Sequence, residues 1–137
     1  MSTLETERRS TCLPAAVAWL FGAAVGWGAW SLTVWARAYC DAGFDAGGVF
    51  QLNFLFPVTG VTAGFVGLAS LALGRWMASR APRAVRAWLP PASVVAVTVL
   101  LGWWFFATVG TLDGYPGDSG LCPDSNVPPQ WPGWIPA

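Results

Sequence analysis

Residues 13–36 read LPAAVAWLFGAAVGWGAWSLTVWA, a run without a single charged side chain. A helix rises about 1.5 Å per residue, so this run is long enough to cross the hydrocarbon core of a bilayer, which is about 30 Å thick. Ser10 and Thr11 suit the N-cap of a helix, and Pro14 falls in the first turn, where a missing N–H breaks no helical hydrogen bond. The stretch therefore predicts a first transmembrane helix.

Two further apolar runs follow, at residues 52–74 and 92–111, and neither contains a charged side chain. The valine-rich stretch 94–99 favours a strand by propensity alone. In lipid, however, each segment must satisfy its own backbone polar groups, which favours a helix. The fold class predicted is an all-α integral membrane protein with three transmembrane helices and an irregular tail, rich in proline, glycine and tryptophan, on the exoplasmic side.

The composition agrees with a membrane protein and excludes several classes of function. Hydrophobic residues make up 55% of the 137 residues and charged residues only 10%, whereas soluble domains average about 25% charged residues. The formal net charge is zero and the chain has no histidine, so neither a nucleic-acid partner nor a histidine-based metal or catalytic site is indicated. We expect no cofactor and no bound metal.

The distribution of positive charge predicts the orientation, because short cytoplasmic loops carry an excess of arginine and lysine. All the basic residues are arginine, and all but Arg37 lie before the first run or between the second and third, at Arg8, Arg9, Arg75, Arg80, Arg83 and Arg86. The N-terminus and the second loop are therefore expected in the cytoplasm, and the C-terminus outside. The four arginines of the second loop are expected to rest on anionic lipid headgroups.

These runs divide the chain into seven segments. They are a cytoplasmic N-terminus (1–12), helix one (13–36), an outer loop (37–51), helix two (52–74), a basic cytoplasmic loop (75–91), helix three (92–111) and an outer tail (112–137). Abundant alanine, glycine, arginine and proline favour a GC-rich bacterial genome and thus the bacterial plasma membrane. A cleaved signal peptide ending near Ala38 is disfavoured, because such peptides have an apolar core of only about 7 to 15 residues.

The three cysteines are expected to differ in redox state. Cys12 lies at the cytoplasmic end of helix one, whereas Cys40 and Cys122 both lie just outside the membrane, in an oxidising compartment. We predict a disulfide between Cys40 and Cys122, which would close a loop of about eighty residues. The alternative is two unpaired thiols that bond a partner or exchange disulfides, although no CxxC motif supports it.

The tail ends in NVPPQWPGWIPA, which places Trp131 and Trp134 among prolines, including Pro128 and Pro129. Such a segment is stiff and extended and carries two amphipathic rings. The rings suit either the headgroup layer of the membrane or a groove on a partner protein. Asp113, Asp118 and Asp124 match no calcium-binding loop and are expected to be solvated turn residues.

Glycines recur four residues apart along the first two helices, as Gly22 and Gly26 in helix one and Gly60 and Gly64 in helix two. Glycines four residues apart let helix backbones approach closely in a membrane. The pairs predict packing of these two helices within the chain, with a homodimer interface as the alternative. Residues 103–106, WWFF, suit helix packing or a hydrophobic ligand such as a quinone or a lipid tail.

No set of residues provides a nucleophile with its base, a metal site or a phosphate cradle. The sequence therefore favours a non-enzymatic membrane protein, an accessory or interaction subunit of a larger complex that contacts lipids and either a membrane-protein partner or further copies of itself. One alternative is an oligomeric channel or carrier for a small uncharged molecule, lined by Ser31, Thr33, Gln51, Thr59 and Thr62. The other is an envelope thiol–disulfide protein that uses Cys40 and Cys122.

Overall fold

The computed structural model describes residues 2–43, 45–110 and 117–134, with side chains from Cys12 onward. Across these residues the regular secondary structure is helical and contains no strand, and residues 117–134 form turns and irregular backbone. The elements are α1 (Ser2–Cys40), α2 (Ala46–Arg80), the short α3 (Arg83–Arg86), α4 (Leu89–Phe105) and a π-helical segment (Phe106–Gly110) that continues α4. The prediction of an all-helical chain is confirmed.

Three of these helical segments are long and apolar enough to cross a membrane, namely Cys12–Cys40, Ala46–Arg80 and Leu89–Gly110. An 18-residue stretch within each has a mean hydropathy of 1.5, 1.7 and 2.0, respectively. The number of candidate spans and their order along the chain agree with the three apolar runs of the sequence.

The helices are longer than the apolar runs that predict them. Ser10 and Thr11 lie inside α1 rather than at its start, and residues 37–40, which the sequence assigns to the outer loop, are helical. Likewise α2 begins at Ala46 rather than at residue 52 and continues to Arg80 rather than to residue 74. An apolar run marks the part of a helix that suits lipid, whereas the helix itself continues through good helix formers such as glutamate and arginine until a cap ends it.

The loop between α1 and α2 is short because two aspartates cap the helix ends. Asp41 adopts a left-handed conformation with φ of 52°, and the N–H of Ala42 donates to the carbonyl of Arg37 at 3.0 Å. This bond is the one that closes a Schellman motif at a helix C-terminus. Four residues later, the carboxylate of Asp45 accepts a hydrogen bond of 2.7 Å from the N–H of Gly48 and so caps the N-terminus of α2.

Helices α1 and α2 approach each other closely along a line of small residues. A Cβ atom at Gly22 would overlap the carbonyl oxygen of Ala63, and one at Gly26 would lie 2.5 Å from the carbonyl oxygen of Thr59. Gly60 and Gly64 face side chains instead: they lie against the rings of Trp27 and Trp19 of α1, respectively. The structure thus places both glycine pairs in the α1–α2 contact of one chain, in different roles.

Helix α4 crosses the α1–α2 pair and touches both helices. Near its N-terminus the hydroxyl of Ser93 donates to the carbonyl of Ser70 in α2 at 2.8 Å. Further along, a Cβ atom at Gly102 would lie 3.1 Å from Val25 of α1. Three apolar side chains, Ala18, Leu71 and Val94, meet where the three long helices come together.

We predict that Gly22→Ala weakens the helix bundle, whereas Gly28→Ala does not. The added methyl at position 22 would press on the backbone of α2, a clash expected to cost about 1–3 kcal/mol. Gly28 lies in the same helix with nothing within 4 Å of its built Cβ, so it is the matched control. Thermal unfolding in mild detergent measures both; equal midpoints for the two variants would contradict the close contact.

Candidate functional site

Cys40 and Cys122 form a disulfide bond, with their Cα atoms 5.5 Å apart and a sequence separation of 82. The sequence-based prediction of this disulfide is confirmed. The bond joins the last residue of α1 to the tail, and Cys40 is completely buried. Cys12 is free and exposed.

The tail from Gly117 to Trp134, here called the tail cap, folds back onto the end of α1. The N–H of Asp118 donates to the carbonyl of Asp41 at 3.2 Å, and the N–H of Ser119 donates to the carbonyl of Cys40 at 3.4 Å. A Cβ atom at Gly117 would overlap the Cys40 carbonyl, so glycine permits this approach of the two backbones. The end of the bundle that carries the tail cap is called the disulfide end below.

Asn126 lies at the centre of the tail cap and is buried, with 1% of its surface exposed. Its φ of 53° is left-handed, and its N–H donates to the carbonyl of Pro123 at 2.8 Å, which closes a tight turn. The sulfur of Cys40 lies 3.2 Å from the Asn126 carbonyl. Pro128 is fully buried nearby, so the cap has an interior of its own around the disulfide.

The two tryptophans of the tail occupy different environments. Trp131 stacks on Trp35 of α1, with ring centroids 5.2 Å apart and planes 7° from parallel, and also contacts Phe106 at 5.8 Å. Trp134 contacts Trp103 of α4 at 5.9 Å but keeps 66% of its surface exposed. Of the four residues predicted to bind a partner, the structure therefore places Trp131 and Pro128 in contacts within the chain and leaves Trp134 and Pro129 exposed.

A groove of about 540 Å³ runs between α1 and α4 beneath the tail cap. Its walls carry no charged side chain; they consist of glycine, alanine, valine, leucine, proline and phenylalanine together with Trp35, Trp103, Trp131 and Trp134. This volume is within the range of ligand-binding sites, about 300–1,000 Å³, and the apolar lining is typical of sites for small apolar molecules.

Arg37 has a structural role that sequence analysis missed. The sequence assigns it to the outer loop, but the structure places it inside α1 with 2% of its surface exposed. Its guanidinium donates to the carbonyl of Gly110 at 3.3 Å and to the carbonyl of Val109. These carbonyls end the described π-helical segment, and a cation at the C-terminal end of a helix interacts favourably with the helix dipole.

Two indole N–H groups also bond backbone across helices. Trp27 donates to the carbonyl of Phe56 at 3.0 Å, and Trp30 donates to the carbonyl of Leu52 at 2.8 Å. Both acceptors lie on one face of α2, one turn apart. Trp27 and Trp30 therefore tie α1 to α2 at the disulfide end of the bundle.

The hydroxyl groups within the helices mostly bond the backbone of their own helix. Ser31, Thr33, Thr59, Ser70 and Thr98 donate to carbonyls three or four residues earlier. Thr33 and Thr98 are fully buried, while Gln51 is exposed. Of the residues predicted to line a pore, Thr59 and Thr62 line one apolar cavity of about 160 Å³, Thr33 is buried, and Ser31 and Gln51 are exposed.

The opposite end of the bundle, here called the arginine-loop end, carries Arg75, Arg80, Arg83 and Arg86, all exposed. The guanidinium of Arg80 lies 3.9 Å above the ring centroid of Trp76. Arg86 donates to the carbonyls of Ala78 and Ala81, at 3.1 and 3.3 Å, and so satisfies the C-terminus of α2. Arg75 lies beside an apolar cavity of about 430 Å³.

Within the described segments, no group of three or more cysteine, aspartate or glutamate side chains is placed to hold a metal ion. Asp118 and Asp124 are exposed, and Asp113 lies outside the described residues. Comparisons of the chain with protein-family models, with curated protein sequences and with solved structures found no match. The function is therefore argued from the residues themselves.

We predict that Arg37→Met destabilises the disulfide end of the bundle. The substitution removes the two hydrogen bonds from the guanidinium to the carbonyls of Val109 and Gly110, and hydrogen bonds to charged groups contribute about 1.5–3 kcal/mol each. Arg83→Met is the matched control, because Arg83 forms no hydrogen bond or ion pair with the described residues. Thermal unfolding of both variants in detergent measures the difference, and an unchanged midpoint for Arg37→Met would show that these bonds add no stability.

Proposed function

We propose that the chain is a small non-catalytic integral membrane protein of the bacterial plasma membrane, an accessory or interaction subunit of a larger membrane complex. Its N-terminus and arginine loop lie in the cytoplasm and its tail cap lies outside. The three long apolar helices support the membrane assignment. The position of Arg75, Arg80, Arg83 and Arg86 at one end of the bundle supports the orientation.

The observation that carries the interaction role is the exposure of Trp134 on a fixed support. A tail that served only as a soluble end would need no large ring, yet 66% of this one is exposed. The disulfide at Cys122 and the stacking of Trp131 on Trp35 already order the cap. A partner that covers Trp134 therefore pays little conformational entropy, and tryptophans in such settings are frequent hot spots.

Two other functions fit the chain less well. A polar pore needs hydroxyl groups that face a channel, whereas Thr33 is buried and the hydroxyls of Ser31, Thr33 and Thr59 donate to their own helices. Thiol–disulfide exchange needs a thiolate to attack an accessible sulfur, whereas Cys40 has no exposed surface and Cys122 is only partly exposed. The interaction role requires neither feature.

We predict that Trp134→Ala removes a partner from the protein purified in mild detergent from its native membrane. Truncation of a hot-spot residue costs about 2 kcal/mol, which lowers affinity roughly thirtyfold. Trp88→Ala is the matched control, because Trp88 is 74% exposed at the arginine-loop end. The measurement is the molar ratio of copurifying protein to chain.

The interaction role is supported by a partner in fixed ratio that Trp134→Ala loses and Trp88→Ala keeps. A second copy of the chain as that partner would make the protein a homo-oligomer. The absence of any fixed-ratio partner, or equal loss in both variants, would contradict the proposal. Trp131→Ala is a poorer probe, because Trp131 also packs on Trp35 and Phe106.

Orientation is tested with single cysteines introduced by Ala84→Cys and Gln130→Cys into a Cys12→Ser background. Both positions are exposed, and the disulfide occupies the other two cysteines. In intact spheroplasts, a membrane-impermeant maleimide is expected to label the chain with Gln130→Cys and not the chain with Ala84→Cys. The reverse pattern would place the arginine loop outside.

A further inference from the structure

The apolar cavity at the arginine-loop end lies between α1, α2 and α4. Its walls include Pro14, Val17 and Phe21 of α1 and Pro90 and Val95 of α4. Among its lining residues, Arg75 of α2 is the one that carries a charge. The cavity thus combines an apolar wall with a single cation at the end of a helix long enough to span a membrane.

Arg75 differs from two of its neighbours in having no partner among the described residues. The guanidinium of Arg80 lies over Trp76, and that of Arg86 bonds the C-terminal carbonyls of α2. The guanidinium of Arg75 forms no hydrogen bond, ion pair or ring contact with any residue that the structure describes. Its five N–H donors are therefore available to a ligand.

The charge around Arg75 also favours an anion. The aspartates described by the structure, Asp41, Asp45, Asp118 and Asp124, belong to the α1–α2 loop and to the tail cap at the disulfide end. Arg80, Arg83 and Arg86, which follow Arg75 in the sequence, add further exposed positive charge to the arginine-loop end. A guanidinium matches the geometry of a phosphate group and can bind two of its oxygens at once.

From this combination we infer that the cavity binds one acyl chain of an anionic phospholipid, whose phosphate contacts Arg75. The inference rests on the proposed insertion of the protein in a membrane. In that setting Arg75 directly follows the uncharged run 52–74, so it lies at the depth of the lipid headgroups. The cavity then extends from the phosphate toward the bilayer centre, in the direction of the chain. The groove under the tail cap has no charged residue and would not select a headgroup.

The test uses the full-length chain in mild detergent and counts bound lipids by native mass spectrometry. The probes are phosphatidylglycerol and phosphatidylcholine with identical acyl chains, with inorganic phosphate as a third probe. We expect one phosphatidylglycerol to bind at least tenfold more tightly than phosphatidylcholine, and free phosphate not to bind. Equal affinity for the two lipids would overturn the inference, as would binding of phosphate alone with the same affinity as the lipid.

Two variants separate a defined site from general attraction between charges. Arg75→Gln is expected to remove the preference for phosphatidylglycerol, while Arg83→Gln, which removes the same charge from the same end, keeps it. Val95→Phe, which fills the cavity, is expected to weaken the binding of both lipids. Equal loss in the two arginine variants would show that the loop merely attracts anions, and would overturn the site.

Two controls complete the experiment. Flotation of the wild-type chain with vesicles reports membrane insertion separately, so a failure of lipid selectivity in a chain that floats counts against the lipid site alone. Sedimentation measures whether a second copy covers the cavity. A dimer that Val95→Phe dissociates would identify that copy as the occupant and overturn the lipid inference.

Discussion

The close contact between α1 and α2 is the constraint on which the rest of the structure depends. In the membrane proposed for this chain, helices gain nothing from burying apolar surface, so their association relies on van der Waals contact and on hydrogen bonds between helices. Gly22 and Gly26 provide the first by bringing the two backbones together. Trp27 and Trp30 provide the second, because their indoles reach carbonyls of α2 only at this separation. Helix α4 then packs across the pair.

The features that could be predicted from sequence follow from composition and from the order of segments along the chain. Uncharged runs locate the long helices, and the side of the membrane on which each cysteine is expected pairs Cys40 with Cys122. The positions at which the helices begin and end are harder to predict from the sequence. Asp45, directly before Ala46, is nevertheless a capping signal that indicates the start of α2. A count of apolar residues contains no information about caps.

The contacts that sequence reasoning missed are all distant along the chain. Arg37 has the sequence context of a loop residue, and its role depends on two carbonyls more than seventy residues away. Trp131 and Trp35, whose rings stack, are likewise far apart in the sequence. Once the disulfide fixes the tail beside α1, such contacts become local in space, but no periodicity in the sequence indicates which ring meets which.

The disulfide also relates the fold to the order in which the chain is made. Cys40 emerges from the ribosome after α1, whereas its partner Cys122 emerges only after α2 and α4 are complete. The bond therefore cannot close on an unfinished bundle, and any chain that stops before Cys122 leaves Cys40 as a free thiol. Oxidation of this pair thus marks a molecule whose long helices have all been synthesised.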